Sequence, residues 1–131
     1  METDKTNHFN DQLRERTMKM ATGIYDLFRG KKISVILRPI IIQIIKSSSS
    51  VAANYRAAAR GRSDAEYYAK ICIVVEECDE TQFWLDFLIR INEVSSQECD
   101  AIYNETVELV KIFTSIKKKV NDRLNGKVVK R

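Results

Sequence analysis

Apolar side chains recur along most of this chain at the three- and four-residue spacing of an α-helix that buries one face. Four such segments follow one another, separated by short links. The predicted helices run from about Asn10 to Phe28, from Pro39 to about Arg60, from Asp64 to about Ile91 and from Ser96 to about Leu124. Because short links favour antiparallel neighbours, we expect an all-α protein, a single antiparallel up-and-down four-helix bundle domain over residues 1–131.

The ends of the predicted helices carry recognisable signals. Gly30 and Gly61 follow the last periodic residues of the first two helices, and glycine favours a helix stop. Pro39 fits the first turn of the second helix, where its missing N–H costs nothing. The third and fourth helices begin with the pattern of a capping box, in Ser63 with Glu66 and in Ser95 with Glu98. Residues 1–8 and 126–131 are expected to be flexible tails.

Small residues replace large apolar ones in the middle of the second predicted helix, from Ser47 to Ser50 and again from Ala57 to Ala59. Four consecutive hydroxyls suggest a nucleophile or a phosphate site, but no base, orienting group or Gly-rich loop accompanies them. We therefore expect close helix packing, with each hydroxyl bonded to a backbone carbonyl one turn earlier.

The third predicted helix is apolar on two faces. One face continues the core stripe, and the opposite face carries Ile73, Phe83, Trp84 and Phe87. An apolar outer face that includes Trp favours an interface between subunits, and soluble oligomers are mostly symmetric homo-oligomers. A groove for another protein is the second interpretation. The third is that the N-terminal segment or the fourth helix covers these residues within one subunit.

Charge is distributed unevenly along the chain, although its net value is only +4. Residues 12–62 carry 11 basic and 2 acidic side chains, whereas residues 64–108 carry 2 basic and 12 acidic ones. Residues 117–131 are basic again, with 7 basic and 1 acidic side chain. Either these charges offset one another within the bundle or between subunits, or the basic surfaces attract a polyanion.

Basic side chains cluster where the second predicted helix meets the third and in the last turns of the fourth. Such clusters bind phosphates through charge, with little readout of bases. The candidate nucleic-acid-binding residues are Arg56, Arg60, Arg62, Lys117, Lys118, Lys119 and Arg123.

Other chemistry finds little support in the sequence. Three Cys without CxxC spacing indicate neither a disulfide framework nor a zinc site. The carboxylates from Glu76 to Asp86 lack the His partners of a di-metal bundle. We expect no catalytic, cofactor or metal residues. No signal-peptide core is visible, and the run from Ile40 to Ile45 is far shorter than the roughly 20 residues that span a bilayer. A cytoplasmic protein without membrane contact is expected.

Two stretches carry a resemblance to a known family. They are QIIKSSSSVAANYRAAARGRS from Gln43 to Ser63 and EYYAKICIVVEECDETQFWLDFL from Glu66 to Leu88. Within them, the S-x-x-x-A-N-Y-R and E-x-D-E-T-x-F-W-L patterns resemble the bacterial four-helix proteins encoded in intervening sequences of large-subunit ribosomal RNA genes, often described as ribosomal-protein-like. The first and fourth helices match only by length and pattern.

The resemblance implies an up-and-down four-helix bundle that assembles into a homo-oligomeric ring, a pentamer. It also implies kinship with the accessory protein of diversity-generating retroelements, a basic pentameric barrel that binds nucleic acid and a reverse transcriptase. No catalytic residue comes with the family.

Together these observations predict a non-enzymatic oligomer that binds RNA or DNA backbones through its basic clusters. The alternative is an adaptor that docks on a protein partner, in which the basic residues only balance the acidic helix.

Overall fold

Four α-helices account for the regular structure. The computed structural model describes residues 4–126, with side chains from His8 onward. The helices are α1 (Asp4–Phe28), α2 (Arg38–Ala58), α3 (Asp64–Arg90) and α4 (Ser96–Leu124), and residues 4–126 contain no strand. The prediction of an all-helical fold with four helices is confirmed.

Helix α1 begins at Asp4 rather than near Asn10. The sequence before Asn10 contains no Gly or Pro from Asp4 onward, so nothing in the backbone prevents the helix from extending. Residues 4–8, assigned above to an N-terminal tail, are therefore part of the helix. Residues 127–131, most of the predicted C-terminal tail, lie outside the described residues.

Helix α2 begins one residue before Pro39, which occupies its first turn as expected. It ends at Ala58, so the predicted end near Arg60 is slightly late. The amide of Gly61 still donates to the Ala58 carbonyl, and Arg60 donates to that of Ala57. Arg60 therefore lies in a tight turn rather than on the helix.

The two predicted capping boxes differ in the structure. At α4, the Ser95 hydroxyl accepts from the Glu98 amide, and the Glu98 carboxylate accepts from the Ser95 amide, so the box is complete. At α3, the Ser63 hydroxyl accepts from the Glu66 amide, but the Glu66 carboxylate accepts from the Arg62 amide, one residue before the cap. The capping box predicted at the start of α3 is therefore correct only for its serine.

Helices that follow one another in the chain pack together, and α1 also contacts α4. All four helices enclose one apolar core. Its largest fully buried members include Tyr55 and Phe113, whose ring centroids lie 5.2 Å apart.

Hydroxyl groups from α2 and α3 meet inside this core. Ser47 and Ser48 are buried and donate to the carbonyls of Ile44 and Ile45, one turn earlier. The hydroxyl of buried Thr81 lies 2.9 Å from that of Ser47. Ser47 and Ser48 therefore serve helix packing, as predicted. Ser49 makes the same kind of bond to the Lys46 carbonyl but is exposed, and the Ser50 hydroxyl accepts from the Asn54 amide.

Candidate functional site

The three predicted phosphate-binding arginines lie where α2 ends and α3 begins. Arg56 is in the last turn of α2, and Arg60 and Arg62 follow in the loop before α3. All three side chains are exposed. Within residues 8–126, none of their guanidinium groups is held by a hydrogen bond or an ion pair. Their charges are therefore available to a partner.

The four remaining predicted residues lie on the last turns of α4. Lys117 is half-buried, whereas Lys118, Lys119 and Arg123 are exposed. Neighbouring helical residues point about 100° apart, so the three lysines do not share one face. Arg123 forms a 3.2 Å ion pair with Asp64 at the start of α3. An exposed pair of this kind contributes about 0–1 kcal/mol, so it leaves Arg123 open to exchange.

Two contacts bring these regions to one end of the molecule. The Tyr55 hydroxyl, near the end of α2, donates to Asn10 near the start of α1 over 3.0 Å. The Arg123–Asp64 pair joins the end of α4 to the start of α3. The α2–α3 loop lies between these contacts. We call this end, with Arg56, Arg60, Arg62, Lys117, Lys118, Lys119 and Arg123, the basic end.

Ion pairs elsewhere connect the basic first half of the chain to the acidic later part. Arg16 on α1 makes two hydrogen bonds with Glu105 on α4, of 2.6 and 3.0 Å, and these bonds raise the pKa of Arg16. Lys31 lies 3.3 Å from Glu98 at the other end of the molecule. Charges on α1 and α4 therefore partly offset each other within one subunit, as the first interpretation of the charge pattern expects.

The apolar outer face of α3 is open to solvent. Phe83 is 55% exposed, whereas Ile73 and Phe87 are 37% and 36% exposed, so the described chain covers these side chains only in part. Phe83, Trp84 and Phe87 form one cluster, with ring centroids 5.0 to 6.4 Å apart. We call Ile73, Phe83, Trp84 and Phe87 the aromatic patch. The interpretation that the chain covers this face itself finds no support in the described residues.

Trp84 has a second role in the fold. It is half-buried and packs against the core, unlike its exposed neighbour Phe83. Among the described side chains, its indole Nε1 is buried without a hydrogen-bond partner, a situation that costs about 1–3 kcal/mol. A charged residue at position 84 would therefore disturb the fold as well as any interface. Phe83 is the cleaner probe of the patch.

Carboxylates surround the aromatic patch. Glu76, Asp79 and Glu80 are exposed on the same helix, and Glu77 is half-buried. Burial, followed by the charges of Glu80 and Glu76, raises the pKa of Glu77. No group of three or more His, Cys, Asp or Glu within the described residues is arranged to hold a metal ion. The outer side of α3 is therefore both apolar and acidic.

An apolar groove that was not predicted from the sequence runs between α1 and α2. It encloses about 430 Å³. Met18 and Tyr25 form its α1 wall and are 47% and 55% exposed. Its floor and α2 wall are mostly small residues, and the lining is Met18, Ala21, Thr22, Tyr25, Ile45, Ser49, Ala52, Ala53 and Arg56. The run of small residues on α2 was its signal, but that run was interpreted only as core packing.

The cysteines are free thiols in the structure. Burial, followed by the charge of Asp79, raises the pKa of the Cys78 thiol to about 12, and the thiol donates to the Thr106 carbonyl. Burial also raises the pKa of Cys99. At neutral pH both therefore stay protonated, as expected for thiols that serve packing.

Comparison with known proteins identifies the family. The family model for the 23S rRNA-intervening sequence protein matches residues 10–115, which is most of the chain. The chain belongs to this family. The resemblance seen in α2 and α3 is thereby confirmed and extends over α1 and most of α4. For this member of the 23S rRNA-intervening sequence protein family, the aromatic patch and the groove lie inside the matched residues, whereas Lys117, Lys118, Lys119 and Arg123 lie beyond them.

A solved structure of a related protein agrees with this assignment. It is the crystal structure of a protein of unknown function from the S23 ribosomal protein family of Bacteroides thetaiotaomicron. It matches with a TM-score of 0.72 and 29% sequence identity, over 81% of the present chain and 98% of its own. No curated protein matches the chain. Within the described residues, every helix is too short or too polar to cross a membrane.

Proposed function

We propose that this chain is a non-enzymatic, cytoplasmic protein that assembles with copies of itself and binds RNA or DNA backbones through its basic end. The observation that carries the proposal is the gathering of Arg56, Arg60 and Arg62 with the last turns of α4. Sequence-independent binding of nucleic acid needs such a group of exposed cations and no particular geometry toward the bases.

The proposal includes an antiparallel up-and-down order of the four helices. Three contacts support this order. The end of α2 meets the start of α1 in the Tyr55–Asn10 bond, and the end of α4 meets the start of α3 in the Arg123–Asp64 pair. At the other end of the molecule, Lys31 just after α1 meets Glu98 in the first turn of α4.

It also includes a homo-oligomeric ring. The open aromatic patch supports an interface, because large apolar side chains that are partly in water, with Phe83 more than half exposed, gain free energy when a second protein surface covers them. The pentamer that the family resemblance implies is the first expectation for the number of subunits.

The unpaired state of the arginines separates the two functions considered from the sequence. In the adaptor alternative, the basic residues serve only to balance acidic ones, and Arg16, Lys31 and Arg123 do so. Arg56, Arg60 and Arg62 have no such partner within residues 8–126. These three charges support the nucleic-acid proposal over the adaptor.

The test is a salt series of binding to a labelled structured RNA, chosen because the family name refers to 23S rRNA. The variant Arg60→Gln/Arg62→Gln/Lys118→Gln removes three exposed charges from the basic end. Shortening α4 would be a poorer test, because it would also remove the buried Val120. We expect the slope of log affinity against log salt to become shallower by roughly 2 to 3, since each phosphate contact contributes about 0.7–0.9.

The matched control is Arg29→Gln/Lys32→Gln/Arg38→Gln, which removes three exposed charges near the opposite end of the molecule. It should change the slope by less than about 1. An equal decrease of the salt slope in both variants would mean that net charge, rather than the basic end, attracts RNA. No binding by the original chain at low salt would overturn the proposal in favour of a protein partner.

A further inference from the structure

We propose that the groove between α1 and α2 receives the aromatic patch of a second copy of this chain. The inference rests on the proposed self-assembly. It places Arg56 in the contact between copies, so phosphate binding is left to the other residues of the basic end. It adds which surface receives the patch, and it makes the contact head-to-tail.

Shape is the first argument for this pairing. The patch presents large rings, with Phe83 farthest into solvent at 55% exposure. The groove has the complementary shape, because the small residues of its floor and α2 wall leave space beside the taller α1 wall of Met18 and Tyr25. Large residues of one surface that enter space left by small residues of another give the close packing typical of stable interfaces.

Charge is the second argument. The patch lies among Glu76, Asp79 and Glu80. The groove lies on the half of the chain with 11 basic and 2 acidic side chains, and Arg56 forms part of its lining. Because Arg56 has no ion-pair partner within residues 8–126, it is free to meet a carboxylate of the second copy. Two patches or two grooves facing each other would instead bring like charges together.

Height along the molecule is the third argument. The bond between Ser47 and Thr81 places these residues at one height. With a rise of about 1.5 Å per residue, Phe83 then lies level with Ile45 in the groove. In a ring whose axis follows the helices, copies meet at equal heights, so Phe83 of one copy faces the apolar part of the groove in the next.

The same rise per residue gives the heights of the charged residues along the molecule. Arg56 lies roughly 14 Å from Ser47 toward the basic end, and Glu76 lies roughly 8 Å from Thr81 in the same direction. An arginine side chain is long enough to span the difference between these two heights. The patch and the groove therefore match in both their apolar and their charged parts.

The contact joins two different surfaces, so it is head-to-tail. Each copy offers one patch and one groove, and repetition of such a contact produces a closed ring when the rotation closes. A symmetric dimer formed by two patches would leave the groove unused.

Two variants separate these possibilities. Phe83→Arg disables the patch. Ala53→Glu fills the groove and places a carboxylate at nearly the height of Glu76 in the next copy, which it repels. Both positions are exposed, so neither change should unfold the protein, which circular dichroism checks. Each variant alone should be monomeric by sedimentation velocity. The matched control is Ala101→Glu, an exposed alanine on α4 outside both the patch and the groove lining, and it should assemble like the original chain.

Mixing the two variants is the decisive step. The groove of Phe83→Arg and the patch of Ala53→Glu are both intact, so an equimolar mixture should form a dimer containing one copy of each. No association on mixing, or an Ala53→Glu variant that assembles like the control, would overturn the groove as the acceptor while leaving self-assembly intact. A monomeric original chain would overturn the proposed assembly itself.

Discussion

At the scale of single residues, the polar contact between Ser47 and Thr81 stands out because it lies inside an apolar core. Both hydroxyls are buried, and that of Thr81 lies 2.9 Å from the Ser47 hydroxyl and 2.9 Å from the Glu77 carbonyl. A buried hydroxyl that loses its partner costs more than the bond itself contributes. The pair therefore fixes the register of α2 against α3.

We expect Thr81→Val to lower the free energy of unfolding by about 1 kcal/mol, because the substitution keeps the shape but removes the hydroxyl. Adding Ser47→Ala should cost less than it does in the original background, giving a coupling energy of about 0.5–1 kcal/mol. Urea unfolding of the four proteins measures this. The control Thr114→Val, on the exposed face of α4, should change stability by less than about 0.5 kcal/mol. Additive losses would show that the hydroxyls do not act as a pair.

At the scale of one element, the start of α4 depends on an ionised carboxylate. The amide of Ser95, followed by the ammonium group of Lys31, lowers the pKa of Glu98 below its ordinary value of 4.5. A carboxylate with a lowered pKa in the folded state stabilises the fold at pH values above its ordinary pKa. That contribution is lost as the pH falls through the lowered value.

We therefore expect Glu98→Gln to be less stable than the original chain at pH 7, with a difference that shrinks as the pH falls below 4.5. Thermal unfolding midpoints across this range provide the measurement. Glu93→Gln, an exposed position just before α4, serves as the control and should follow the original chain at every pH. A difference in unfolding midpoint between Glu98→Gln and the original chain that does not change with pH would contradict a stabilising role of the ionised Glu98 carboxylate.

At the scale of the whole molecule, the two halves of the chain carry opposite charge on different sides of one core. Ion pairs join α1 to α4, whereas Glu76 and Arg56 remain without an ion pair inside residues 8–126. The head-to-tail contact proposed here brings these two residues together between copies.

A charge exchange tests this pairing. Arg56→Glu alone should weaken self-association about 10-fold or more, because it places two carboxylates opposite each other. Adding Glu76→Arg should restore association to within about threefold of the original chain, which sedimentation equilibrium measures. The control pairs Arg56→Glu with Glu93→Arg, a carboxylate away from the patch, and should give no recovery. Equal recovery in the control would show that only net charge matters.

The sequence predicted the elements better than the surfaces. Helix periodicity, Gly stops and the cap at Ser95 are signals from residues close together in sequence, so the four helices could be predicted from the sequence. The groove could not, because it exists only where Met18 and Tyr25 of α1 approach Ala53 of α2. The outward face of α3 was predicted, but the inward packing of Trp84 was not, since a helical position between two faces is ambiguous until neighbours are placed.

The basic end has a further consequence for a ring built through the proposed contact. Cyclic symmetry gives every copy the same direction, so all the basic ends lie on one side of the particle. Each copy then adds a weak phosphate contact that is already near the next stretch of a long strand, and affinity grows through avidity rather than through any single strong site. Short oligonucleotides that reach only one subunit would bind weakly, whereas strands long enough to follow the rim would stay bound.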